Sequence, residues 1–168
     1  ALRADRAANA TGAQLLGFTR HPSPLELLQP GDALVIADHG LAPTDVPAVS
    51  RASVVVVVGT AMPANLPKAD VILPIANVVE EEGTFTNLRG RVQRFLQAKA
   101  TQGMARPSWY VLSDLLGAMG EKAEYFTASD AFAALAAAEP AFAGLSYDTL
   151  GLRGLPVVDA ASFAEAAR

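Results

Sequence analysis

The chain has 168 residues, of which 51% are hydrophobic, a net charge of −4 and no cysteine. That length supports one domain with a small appendage and a core of useful size. The acidic balance argues against nucleic acid as the main partner, since phosphate binding needs a basic face. The lack of cysteine means that this stretch offers no thiolate to an iron–sulfur cluster or to molybdenum. It also fits a reducing compartment. His21 and His39 are too few for a histidine-rich metal site.

The longest apolar run, Val54 to Val58, falls far short of the roughly 20 residues that cross a bilayer, so no direct membrane insertion is expected. Ala1-Leu2-Arg3 opens straight onto polar, charged sequence with no signal-peptide pattern. The first residue is not methionine and the last turn stops abruptly, which points to a piece of a longer chain.

In chain order, residues 3–17 read as a helix with Leu15 and Leu16 on its apolar side and Gly17 as its stop. Three prolines between Pro22 and Pro30 leave room for a short turn of helix at 25–28. Ala33 to Ala37 is a buried strand, closed by Asp38-His39-Gly40. Thr44 to Arg51 allows two helical turns capped by Thr44 or Asp45. The five valines from Val54 to Val58 form a strand whose unalternated pattern predicts burial on both faces. Val71 to Leu73 is a third strand, stopped by Pro74.

Short apolar strands with connectors of about ten to fifteen residues predict an α/β fold, with a Rossmann-like, doubly wound, mainly parallel sheet and helices on both faces. Domain 1–125 would hold that sheet. Residues 126–168 would form a helical and loop extension packed on it.

Glu80, Glu81 and Glu82 precede Gly83, and Thr84-Phe85-Thr86-Asn87 leads into Arg89, Gly90, Arg91 and Arg94. The chain must turn in a defined way between such opposite charges. The carboxylates could be a general acid/base pair. The favoured reading is a loop in which one side chain caps or pairs with Arg89 or Arg91. Thr84, Thr86 and Asn87 could contact a pterin-like ligand, or could stabilise a turn through bonds to backbone. The arginines could hold phosphate or a neighbouring subunit's carboxylates.

Beyond them, Val92 to Leu96 would extend as an edge strand. Pro107 to Met119 reads as a helix with Trp109, Leu112, Leu115, Leu116 and Met119 inward. Ser129 would cap a helix running to Ala138, with Phe132 and Leu135 inward and Pro140 ending it. Residues 140–158 should be mostly loop, and Asp159 or Ser162 could start a last helix.

No G-x-G-x-x-G follows any strand, so the dinucleotide fingerprint is missing, and Gly59-Thr60 is a poor substitute. His39 stands at a strand's carboxyl end, where such sheets bind ligands, but a lone histidine there is more often incidental. That strand end, Asp38-His39, is the first place to look for a pocket.

ADVILP at 69–74 followed by EEEGTFTNLRGRVQ at 80–93 resembles the large subunits of the molybdopterin oxidoreductase superfamily, which carry ADVVLP and then E-x-x-GTFTN-x-x-GRVQ. Arg6 to Ala13 is similar to the ANAxGA segment of the G subunit of bacterial NADH:quinone oxidoreductase, respiratory complex I. Ala105 to Trp109, Ala143 to Tyr147 and Leu150-Gly151 add to the resemblance.

The resemblance implies a non-catalytic C-terminal domain of that complex I subunit, with a structural or assembly role in the peripheral electron-transfer arm. Its partners would be the rest of the same polypeptide and other peripheral-arm subunits, on the cytoplasmic side of the bacterial inner membrane. No cofactor would bind here, and iron–sulfur clusters would lie elsewhere in the parent chain. Arg89, Arg91 and Arg94 would be docking residues.

The alternative is a cofactor-proximal domain of a formate dehydrogenase or nitrate reductase large subunit, with Thr84, Thr86, Asn87 and Arg91 near the pterin. A third reading is a free-standing Rossmann-like interaction module.

Overall fold

The computed structural model describes residues 8–19 and 21–158. In chain order the elements are α1 (Ala10–Leu15), β1 (Ala33–Ala37), α2 (Val46–Val49), β2 (Val54–Gly59), β3 (Val71–Pro74), β4 (Gly83–Thr86), β5 (Arg91–Phe95), α3 (Ser108–Ala118), α4 (Ala128–Ala138), α5 (Tyr147–Leu150) and β6 (Leu155–Pro156). Single 3₁₀ turns lie at Pro24–Leu27, Pro43–Asp45 and Pro140–Phe142. Among the described residues, contacts gather into two compact units, one of residues 21–81 and 98–111, the other of residues 8–19, 82–97 and 112–158. This division does not fall at 125, because β6 pairs with β5 and so ties the later chain to residues 82–97.

In the unit of residues 21–81 and 98–111, β1, β2 and β3 make a parallel sheet in that order. Val35 stands opposite Val56, and Val56 opposite Val71. β-Branched residues accept this extended backbone with little loss of side-chain freedom. One face buries Ile36 and Val55 against Leu41, Val49 and Ala52. The Asp70 carboxylate accepts from the Val55 N–H at 2.7 Å and fixes the entry to β3.

The α/β class is what these residues form, and finer features differ from expectation. Among the described residues the parallel strands stand in the order β1-β2-β3. Only alternate valines of β2 are fully covered at its start. Val55 and Val57 are buried, whereas Val54 is 40% exposed beside Val35 at 51% and Val71 at 43% on the same face.

In the other unit, β4, β5 and β6 form an antiparallel sheet with β5 in the middle. Residues 83–86, expected to be loop, are therefore strand. The expected edge strand at 92–96 is central, because residues 155–156 supply its second partner. Val92 is fully buried as a result. The segment 140–158 holds α5 and β6 and is more structured than expected. Its aromatic core joins Phe132, Phe142 and Tyr147, with Phe132 and Phe142 edge to face at 6.4 Å.

Helix boundaries shift for local reasons. α1 is shorter than expected where described, and residues 3–7 lie outside the described residues. Gly17, at φ +77°, follows its end as expected, with the Phe18 N–H donating back to Ala13 O at 3.0 Å. Asp45 precedes α2, and its carboxylate accepts from the Ala42 N–H at 2.7 Å. α4 is capped by Thr127 rather than Ser129: Thr127 Oγ1 accepts from the Asp130 N–H, and the Asp130 carboxylate accepts from the Thr127 N–H at 2.9 Å.

The residue spacing in α3 predicts a buried apolar stripe. Its buried residue is instead Ser113, whose Oγ donates to Ala123 O, while Leu112 and Leu116 are exposed. The last helix expected from Asp159 or Ser162 lies outside the described residues.

Candidate functional site

The hairpin of β4 and β5 carries most of the candidate residues, and Asn87 builds its turn. Asn87 O accepts from the Gly90 N–H at 2.9 Å, and Arg91 O accepts from the Asn87 N–H at 2.9 Å. These bonds enclose Leu88, Arg89 and Gly90 in a three-residue loop. Gly90 stands at φ +68°, the left-handed position that such a loop ends on. The Asn87 Oδ1 accepts from the Arg89 and Arg91 N–H groups at 2.9 and 3.1 Å, and its Nδ2 donates to Gln93 at 3.1 Å.

Around this turn, Thr86, Arg91 and Arg94 are each bonded to a neighbour. The Thr86 N–H donates to Asn9 Oδ1 at 2.8 Å, and Thr86 is buried. Thr84 is half-buried opposite Arg94. Arg91 Nη1 donates to Gly154 O at 2.7 Å. Arg94 Nη1 donates to Tyr147 O at 3.0 Å, and its guanidinium lies 4.0 Å from the centre of the Tyr147 ring, a cation–π contact. Gly83 is needed where it stands, because a Cβ there would meet the Phe95 ring at 2.8 Å. Arg89 is exposed and has no side-chain partner among the described residues.

The three glutamates divide. Glu81 Oε2 accepts from both the N–H and the Oγ of Ser108, at 2.7 and 2.9 Å, and so closes the start of α3. Glu80 is buried and receives Lys99 Nζ at 3.3 Å. Glu82 is half-buried. The expected capping role is therefore filled by Glu81. The arginines instead seek backbone carbonyls at Gly154 and Tyr147, more than 50 residues away in sequence.

The second location is the carboxyl edge of the parallel sheet. Asp38 adopts φ +44°, and its Oδ1 accepts from the Thr60 N–H at 2.9 Å and the Thr60 Oγ1 at 2.7 Å. These two bonds, the backbone one first, hold the Asp38 carboxyl below its ordinary pKa. Next to it, His39 lines a cleft of about 590 Å³ together with Leu34, Ile36, Leu41 and Asp45. The pocket expected at this strand end is present. Among the described residues, no three His, Cys, Asp or Glu side chains gather as a metal site. No described helix is long and apolar enough to cross a membrane.

Asn9, Thr60, Ser108, Tyr147 and Gly154 complete these arrangements, and sequence reasoning misses them as site residues. Asn9 had a signal, since it lies in the ANAxGA-like segment. Ser108 and Tyr147 likewise lie in segments that carry the resemblance, whereas Thr60 and Gly154 bond through backbone or a short hydroxyl, which leaves no pattern in sequence.

A parallel α/β sheet with a cleft at its carboxyl edge, followed by an arginine-bearing hairpin, defines the class. Residues 38–118 match the family described as molybdopterin oxidoreductase. A putative formate dehydrogenase, YrhE, of Bacillus subtilis is 42% identical over 82 residues, which is 49% of this chain and 8% of that protein. The F420-dependent formate dehydrogenase 2 subunit alpha of Methanococcus maripaludis is 43% identical over 89 residues, 52% of this chain and 13% of that protein. A putative formate dehydrogenase of Staphylococcus aureus is 37% identical over 82 residues, 49% of this chain and 8% of that protein. The chain thus spans about a tenth of the length of these relatives.

The family name implies a pterin cofactor, and the hairpin residues can be tested for it. Thr86 is buried with its N–H spent on Asn9, and both ends of the Asn87 amide are spent within the turn. A group that is already satisfied gains little from a ligand. The Thr86 N–H and the Asn87 amide are thus spent within the protein, and no chemical step is assigned to the set Thr84, Thr86, Asn87 and Arg91.

Proposed function

We propose that this chain is a segment of the large subunit of a molybdopterin oxidoreductase of the formate dehydrogenase type. Within it, residues 83–95 serve as a structural hairpin. The observation that carries this reading is the family match over residues 38–118 together with formate dehydrogenase relatives at 37% to 43% identity across about half of the chain. Any thiolate-held cluster of the parent protein is then bound by residues outside this chain, which contains no cysteine. Arg89, the exposed cation at the hairpin tip, is the residue left to meet a carboxylate of a neighbouring surface.

The test is made on the purified full-length protein that contains this segment. Formate-dependent reduction of an artificial electron acceptor, with molybdenum present in stoichiometric amount, is the expected result. NADH-dependent quinone reduction in an assembled complex, with no molybdenum and no formate oxidation, overturns it. That outcome returns the assignment to the complex I reading, with its peripheral position on the cytoplasmic side of the membrane.

A further inference from the structure

We draw no further inference here: the strongest candidate, the small cavity of about 160 Å³ that Arg94 of β5 lines with Leu96, Gly151 and Leu152, carries nothing, because the guanidinium is already engaged by the carbonyl and ring of Tyr147 and nothing in the structure shows what would fill the space.

Discussion

Glu81 and Ser108 are joined twice, through the Ser108 N–H at 2.7 Å and its Oγ at 2.9 Å, both onto the same carboxylate oxygen. A carboxylate at this position meets an orphan donor of the first helical turn and the positive end of the helix dipole. Glu81→Ala should therefore cost about 1 kcal/mol. Glu81→Gln should cost less, since an amide oxygen still accepts. Thermal unfolding of the two variants separates them, and equal melting temperatures would show that the bond contributes nothing.

Asn87 accepts two backbone N–H bonds and donates one side-chain bond. Asn87→Ala should destabilise the chain by about 1–3 kcal/mol, because the Arg89 and Arg91 N–H groups lose their acceptor. Asn87→Asp retains that acceptor and should recover most of the loss. Denaturant titration of the pair would read the difference as a shift in midpoint.

The arginines separate by what they touch. Arg91→Ala removes a 2.7 Å bond to Gly154 O and should cost about 0.5–1.5 kcal/mol. Arg89→Ala should stay within about 0.5 kcal/mol of the parent, as surface changes usually do. Comparable losses for both would contradict the hairpin geometry.

Asp38 gives a pH dependence whose sign can be worked out. Its folded pKa lies below its ordinary value because the Thr60 N–H and Oγ1 bond the charged form. A depressed carboxylate contributes stability that is complete above the unfolded value, about 3.9, and lost as the pH falls through the folded one. Asp38→Asn keeps a residue that tolerates φ +44° and removes the titration. The acid limb of its stability curve below about pH 4 should be shallower than the parent's. Identical limbs would rule out the Asp38–Thr60 clip as the source.

The central parallel strand distinguishes neighbours. Val57 is 2% exposed and Val56 half-buried. Val57→Asp should cost several kcal/mol, about 3 or more, from burying an unpaired charge. Val56→Asp, on the more open face, should cost visibly less. A reversed order in chemical denaturation would mean the faces are assigned the wrong way round.

By itself the sequence determined the parallel strands. Ala33 to Ala37, Val54 to Val58 and Val71 to Leu73 are short β-branched or apolar runs between turn residues, and such local preferences need no distant partner. The family resemblance was legible as well, since ADVILP and GTFTN-x-x-GRVQ are each contiguous. The carboxyl-edge pocket was legible for the same reason, as it sits where β1 ends.

Only the tertiary structure decided what the charged stretch does. Whether 92–96 lies at an edge or a centre depended on Leu155 and Pro156, about 60 residues later, pairing with it. Arg91 and Arg94 read as cations seeking carboxylates. Folding brought them backbone carbonyls at Gly154 and Tyr147, which carry no sequence signature because every residue has one. The apolar spacing of α3 predicted a buried face. Burial instead went to Ser113, since a hydrogen bond to Ala123 O anchors that side where a hydrophobic stripe was expected. Periodicity reports which side chains could be buried, and only the partners that arrive from elsewhere in the chain settle which ones are.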